Sequence, residues 1–178
     1  FHESANFAAL KKLPVVFVCE NNFYSVYSPM VVRQPSQREV FEVAKGHGIV
    51  SFQGDGNSVE EVYALAGEAV QRAREGQGPT FLEFKTYRWL EHCGPADDTH
   101  MGYRTEEEVQ AWKRKCPIQR LEQQLRNANA LTEQSIRVMK AEIDSEIEEA
   151  VTFAKQSPFP SKEILLEHIY DDEVTAVY

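Results

Sequence analysis

The stretch from residue 49 to residue 84 constrains the fold more than any other. Two apolar, strand-like runs, Ile49-Val50-Ser51-Phe52 and Thr80-Phe81-Leu82-Glu83-Phe84, flank a single amphipathic helix. Ser58 opens that helix with Glu61 three residues on, the pattern of a capping box. Val59, Val62, Ala66 and Val70 then recur along one face until Gly76-Gln77-Gly78-Pro79 stops it. Strand, helix and strand at these lengths predict a parallel sheet with a right-handed crossover. A third run, Val15-Val16-Phe17-Val18, has the composition of a strand covered on both faces. The expected class is therefore α/β, a parallel sheet flanked by helices.

The rest of the chain fits around that unit. Phe1, Ala5, Ala8 and Ala9 have helical spacing from the first residue, with neither initiator methionine nor cap, so the chain is expected to begin inside a larger protein. Residues 21–37, with Pro29 and Pro35, read as a long loop, and a short helix is expected over 38–45. Residues 86–104 form a second long loop. Beyond it the pattern is helical: Thr105 and Glu108 make another capping box, and Pro117 suits a first turn. Ile136, Met139, Ile143, Ile147 and Val151 line a long helix over 132–155, followed by an extended tail with one short helical turn. This predicts one truncated domain over 1–178, with an α/β part at 1–104 and a helical extension and tail at 105–178.

Composition excludes several classes. The 28 acidic and 19 basic residues leave a net charge of -9, which repels phosphate backbones and argues against nucleic-acid binding. Lys113-Arg114-Lys115 ends a helix that begins with three glutamates and reads as a solvated helix end. The three cysteines are odd in number and lack a Cys-x-x-Cys pair, which fits a reducing, cytoplasmic setting rather than a disulfide framework. No apolar run approaches the roughly 20 residues that span a bilayer, so no membrane role is expected.

Three segments could carry chemistry. Asn21-Asn22, at the exit of the first strand, suits either a turn or a ligand position, since ligands of α/β sheets sit at strand exits. Gly54-Asp55-Gly56 could approach a diphosphate, but the plainer reading is turn chemistry ahead of a capped helix. The second loop gathers Arg88, His92, Cys93, Asp97, Asp98, His100 and Arg104. It could hold a thiol nucleophile with a histidine base, a transition metal on His92, Asp97, Asp98 and His100, or a loop closing on an anion through Arg88, His92 and Arg104. The last reading uses most of its residues. His2, His47 and His168 read as ordinary surface or core histidines.

Taken together, Glu20-Asn21-Asn22-Phe23-Tyr24-Ser25, Phe84-Lys85-Thr86-Tyr87-Arg88 and Gly102-Tyr103-Arg104-Thr105-Glu106-Glu107-Glu108 resemble one family. It is the alpha subunit of the thiamine diphosphate-dependent decarboxylating component of 2-oxo acid dehydrogenases, which act on pyruvate, branched-chain 2-oxo acids or acetoin. The resemblance runs from the opening helix to Pro158-Phe159-Pro160. In that family the cofactor motif opens with Gly-Asp-Gly and closes with Asn-Asn. Gly54-Asp55-Gly56 follows Asn21-Asn22, so by order it matches a strand-end turn, and the motif's opening would precede Phe1.

The resemblance implies that Asn22 ligates Mg2+ through its side-chain oxygen and Tyr24 through its carbonyl. It also implies that Arg88 and His92 face the diphosphate of thiamine diphosphate, with His92 assisting transfer to a lipoyl group. Where the family often has Tyr-His-Gly-His-Ser, this chain has Trp89-Leu90-Glu91-His92-Cys93. Cys93 replaces a serine that the mitochondrial pyruvate enzymes phosphorylate, and Leu90 replaces the first histidine. The resemblance therefore implies neither kinase control there nor pyruvate in particular. The implied activity is decarboxylation of a 2-oxo acid, or cleavage of acetoin, with the acyl group passed to lipoamide. The implied partners are a beta subunit, in a heterotetramer, and a lipoyl-bearing acyltransferase, with the fragment alone expected to be inactive. The rival readings are a non-catalytic α/β interaction module and a metal-dependent hydrolase built on the histidine-rich loop.

Overall fold

A computed structural model of the protein describes residues 1–167, so His168 lies outside the described residues. The chain divides into two compact units, Phe1–Ala128 and Asn129–Tyr178. The first contains α1 (His2–Lys11), β1 (Val16–Asn21), β2 (Tyr24–Ser25), β3 (Ser28–Pro29), α2 (Val40–Lys45), β4 (Val50–Asp55), α3 (Val59–Arg74), β5 (Thr80–Lys85), α4 (Glu106–Lys113) and α5 (Pro117–Asn127). α4 and α5 thus belong to the same unit as the sheet.

The three longer strands form a parallel sheet in the order β1-β5-β4, with β5 central. Its register sets Cys19 and Gln53 on either side of Glu83, and Asn21 and Asp55 on either side of Lys85. Two apolar layers sandwich it, as expected of an α/β fold. On one face Ala5, Ala44, Ile49 and Phe81 pack with Phe17, Val40 and Phe41; on the other Ala69, Leu82 and Phe84 pack with Phe52, Val62, Leu65 and Ala66. Full burial of side chains such as Leu82 contributes about 1.5–3 kcal/mol each.

One expectation needs correction. β1 is not covered on both faces, because Val18 remains 57% exposed. β1 is an edge strand, and α3 packs mainly over β4 and β5. Strands also continue past their apolar runs, to Asn21, Asp55 and Lys85, since parallel backbone pairing does not depend on side-chain polarity. The loop at 21–37 is structured: β2 and β3 pair antiparallel, and Met30–Val32 forms a 3-10 turn.

Gly54 and Asp55 end β4, and the turn expected at Gly54-Asp55-Gly56 begins at Gly56. Asp55 Oδ1 accepts from the Asn57 backbone N–H at 2.9 Å, and its Oδ2 pairs with Arg120 at 2.8 Å. At Gly56 a Cβ would come within 2.9 Å of the Lys85 carbonyl, so only glycine fits there.

In the second unit α6 (Glu133–Gln156) opens with a reciprocal capping box. Thr132 Oγ1 accepts from the Ser135 N–H at 3.1 Å, while Ser135 Oγ accepts from the Thr132 N–H at 2.9 Å. Lys162–Leu166 then makes the short helical turn expected in the tail.

Candidate functional site

The polypeptide leaves β1 through two successive side-chain-to-backbone turns. Asn21 Oδ1 accepts from the Phe23 N–H at 3.1 Å, and Asn22 Oδ1 accepts from the Tyr24 N–H at 3.0 Å. Short amide side chains make such bonds readily, and they hold Phe23 in a left-handed conformation with φ of 66°. The two asparagines differ in what else they meet. Asn21 is buried, and its Nδ2 donates to Glu83 Oε1 at 2.6 Å; Asn22 is half-buried.

Tyr24 begins the small hairpin. The Phe23 carbonyl takes the Met30 N–H at 2.8 Å, so Tyr24 and Pro29 face each other as a non-hydrogen-bonded pair and the Tyr24 carbonyl points away from β3. The Tyr24 hydroxyl donates to both oxygens of Glu108 on α4, at 2.8 and 3.0 Å. Burial, then the hydrogen bond and charge of Glu108, push this phenol well above its ordinary range. Tyr87 stacks on Trp112 with ring centroids 5.3 Å apart, and its buried hydroxyl has no hydrogen-bond partner among the described residues. Burial first, then the nearby Glu108 carboxylate, push Tyr87 up to about 12. A cavity of about 540 Å³ opens beside these groups, lined in part by Phe23, Tyr24, Met30, Glu39, Glu108 and Trp112.

The loop at 86–104 lies against the hairpin through Arg88. That guanidinium donates to the Val26 carbonyl at 2.9 Å, the Leu90 carbonyl at 2.6 Å and the Tyr103 hydroxyl at 3.1 Å. Behind it Arg104, with a fully buried side chain, pairs with Asp98 at 2.5 Å and donates to the carbonyls of Arg88 and Trp89. Burial pushes the Asp98 carboxyl up, but the Tyr103 hydroxyl, the Arg104 hydrogen bond and the charges of Arg104 and Arg88 outweigh it. The net effect holds Asp98 below the usual carboxylate range. Arg104 is therefore a buried strut of the loop and not a donor to an anion, contrary to the expectation from sequence.

His92 is exposed and makes no hydrogen bond among the described residues; Cys93 beside it is also exposed. Among the described residues no three of His, Cys, Asp and Glu come together to hold a metal ion. Asp98 is committed to Arg104 and Tyr103, and Asp97 caps Thr99, which disperses the set that a transition metal would need. The His2 and His47 rings bond each other at 2.9 Å as surface groups.

Sequence reasoning missed two groups. Glu83, fully buried in β5, and Glu108, on α4, are the carboxylates that hold Asn21 and Tyr24. A glutamate inside an otherwise apolar strand was the available signal for the first. Folding also gathers Lys85, Arg114, Lys115 and Arg120 around one cavity, although no basic patch is evident in the sequence. Lys85 pairs with Glu39 at 3.0 Å, Arg120 pairs with Asp55, and Lys115 lies over the Trp112 ring, so most of that charge is already compensated or packed.

No helix among the described residues is long and apolar enough to cross a membrane. The family model described as dehydrogenase E1 component matches residues 1–163. The 2-oxoisovalerate dehydrogenase subunit alpha of Bacillus subtilis is 36% identical over 170 residues, covering 96% of this chain and 51% of that protein. The chloroplastic pyruvate dehydrogenase E1 component subunit alpha-3 of Oryza sativa is 36% identical, covering 97% of this chain and 40% of that protein. The pyruvate dehydrogenase E1 component subunit alpha of Rickettsia bellii is 34% identical, covering 95% of this chain and 51% of that protein. The chain thus spans about half the length of the curated relatives it matches. Continuous similarity of this extent, on a parallel sheet with the paired asparagines at the exit of its first strand, makes the chain a member of the dehydrogenase E1 component family.

Proposed function

We propose that this chain forms the magnesium and diphosphate side of a thiamine diphosphate site in the alpha subunit of a 2-oxo acid dehydrogenase. One observation carries the reading: at the exit of β1 a doubly bonded turn holds a side-chain amide oxygen, on Asn22, and a backbone carbonyl, on Tyr24, two residues apart. Hard cations such as Mg2+ take oxygen ligands of this kind. The donor set fits. Asn22 Oδ1 uses one lone pair on the Tyr24 N–H and keeps another, and the hairpin register turns the Tyr24 carbonyl away from β3. Both oxygens are neutral, so the reading also requires a carboxylate ligand from elsewhere in the assembly.

Thiamine diphosphate, when bound, supplies the carbon nucleophile for the 2-oxo group. The residues of this chain would do the rest of their share by binding and positioning. Asn22 and Tyr24 would hold the metal, Arg88 and exposed His92 would bind the diphosphate, and His92 would assist acyl transfer. The acceptor is lipoamide on an acyltransferase, and a beta subunit completes the site in a heterotetramer. The relatives are named for pyruvate and for 2-oxoisovalerate, which supports a 2-oxo acid as substrate, with acetoin the alternative. The free thiols of Cys19, Cys93 and Cys116 support a reducing compartment such as the cytoplasm.

The non-catalytic interaction module draws on a different observation, the exposure of large apolar side chains such as Phe7, Leu10 and Val18. The test that separates them uses the complete gene product co-expressed with its beta subunit, assayed with lipoamide against a panel of 2-oxo acids and acetoin. Turnover that requires both thiamine diphosphate and magnesium is expected with at least one substrate. A well-assembled complex with no such turnover would favour the module. The metal-dependent hydrolase has no supporting ligand set among the described residues.

A further inference from the structure

Glu83 is a fully buried carboxylate in the middle of the central strand, a position where an apolar residue costs less. Its two oxygens are occupied in different directions. Oε1 accepts from Asn21 Nδ2 at 2.6 Å; Oε2 accepts from the Phe41 backbone N–H at 3.0 Å and from Gln53 Nε2 at 3.0 Å. Phe41 lies in the first turn of α2, whose N-cap residue Glu39 makes no side-chain cap bond, so Glu83 takes up a helix N–H that would otherwise lack a partner. Every donor is neutral, and the nearest lysine of the network, Lys85, is paired with Glu39 instead.

We propose that Glu83 is the positioning residue of the metal-binding turn, acting through Asn21. The proposal rests on the reading of Asn22 and Tyr24 as metal ligands. An asparagine amide has one oxygen and one nitrogen end. With its nitrogen held by a carboxylate, Asn21 must turn its oxygen the other way, toward the Phe23 N–H, which it meets at 3.1 Å. That bond supports Phe23 in a left-handed conformation, which costs a non-glycine residue roughly 1–2 kcal/mol. Phe23 in turn fixes the direction in which Asn22 and Tyr24 present their oxygens. A glutamine at position 83 would set a fourth donor among three and release the amide of Asn21. An exchanged pair, Asn21→Asp with Glu83→Gln, would satisfy every group again. The introduced carboxylate would accept from both the Phe23 N–H and the introduced amide nitrogen, and the introduced amide oxygen would accept from Phe41 and Gln53.

The test is a magnesium titration of thiamine diphosphate binding, read by calorimetry on the complete alpha polypeptide assembled with its beta subunit, with thermal unfolding measured alongside. Outer partners of metal ligands typically govern affinity by about 10–100-fold, and a rise of at least about 10-fold in the half-saturating magnesium concentration is expected for Glu83→Gln. The exchanged pair is expected to return to within about threefold of wild type. A Glu83→Gln protein with the wild-type midpoint, or an exchanged pair no better than Glu83→Gln, overturns the proposal. If Glu83→Gln does not assemble, Asn21→Ala takes its place, because it leaves Glu83 with two donors. It should show the same weakening, and a wild-type midpoint in that variant overturns the proposal as well. A buried group with a purely structural role lowers the unfolding temperature without moving the magnesium midpoint. Failure of the underlying reading is visible separately, as cofactor binding by wild type that ignores magnesium.

Discussion

Tyr24 works at both of its ends. Its carbonyl belongs to the proposed metal site, while its hydroxyl is fixed by two hydrogen bonds to Glu108. Tyr24→Phe keeps the carbonyl and the ring but strips Glu108 of its donor, so a loss of about 1–3 kcal/mol in denaturant unfolding is expected. The magnesium dependence of cofactor binding should be unchanged; a large shift there would mean that the hydroxyl, not the backbone, governs the site. The same bond has a pH signature. The folded pKa of Tyr24 lies above the unfolded value near 10, so its contribution is fully present below about pH 10 and is lost as pH rises toward the folded value. Near-ultraviolet titration should show Tyr24, Tyr87 and Tyr103 ionising later than ordinary tyrosines, and a single phenolate transition near pH 10 would contradict this packing. His92 is the residue-scale test of the loop. It has no structural partner among the described residues, so His92→Ala should leave stability within about 0.5 kcal/mol. A general acid or base typically contributes 10²–10⁴-fold, so lipoamide-coupled turnover should fall by about that order. Equal turnover would remove His92 from the site.

The loop at 86–104 behaves as an element with a rigid foot and an exposed tip. Its foot is the Asp98–Arg104 pair with Arg88 and Tyr103, and Asp98→Asn would leave the buried Arg104 cation without its counter-charge, at a cost of about 3–5 kcal/mol. Acid should do the same reversibly. The Asp98 carboxyl is held below its unfolded value near 4, so the anchoring is present above about pH 4 and is lost as pH falls through the lowered folded pKa. Limited proteolysis with an acid-tolerant protease should therefore begin cutting within 86–104 only below that range; cutting at neutral pH would contradict the anchored loop. These partners also mark the limit of what the sequence discloses. The helices beginning after Ser58, Thr105 and Thr132 were legible because capping and apolar spacing are local. The three parallel strands were legible for the same reason, within one to three residues at their exits. Asp97 and Asp98 are neighbours that look alike in sequence, yet one caps Thr99 at the surface and the other is buried against Arg104. Nor does spacing disclose that Glu83 meets Asn21 across 62 positions, or that Tyr24 meets Glu108 across 84. Local pattern fixes elements, whereas the pairing of polar groups depends on which strand ends the fold brings together.

On the scale of the whole molecule the decisive quantity is how many charged ligands the proposed metal site contains. The chain carries a net charge of -9, but among the described residues no three of its His, Cys, Asp and Glu side chains come together to hold a metal ion, and the carboxylates around the turn have other partners. Glu108 is bound to the Tyr24 hydroxyl, Glu83 is spent on Asn21, Phe41 and Gln53, and Glu39 is spent on Lys85 and Gln53. Mg2+ demands near-ideal octahedral oxygen coordination and gives up its water reluctantly, so two neutral oxygens do not retain it without a carboxylate and the diphosphate together. Loss of an outer partner alone typically costs about 10–100-fold in affinity, and absence of a direct carboxylate ligand costs more. Residues 1–178 produced alone are therefore expected to bind thiamine diphosphate and magnesium more than about 100-fold more weakly than the complete alpha polypeptide with its beta subunit. Side-by-side calorimetry of the two preparations measures this directly. Micromolar, magnesium-dependent binding by residues 1–178 would mean that the turn after β1, with the groups already around it, forms a sufficient site and that the carboxylate invoked from elsewhere in the assembly is not required.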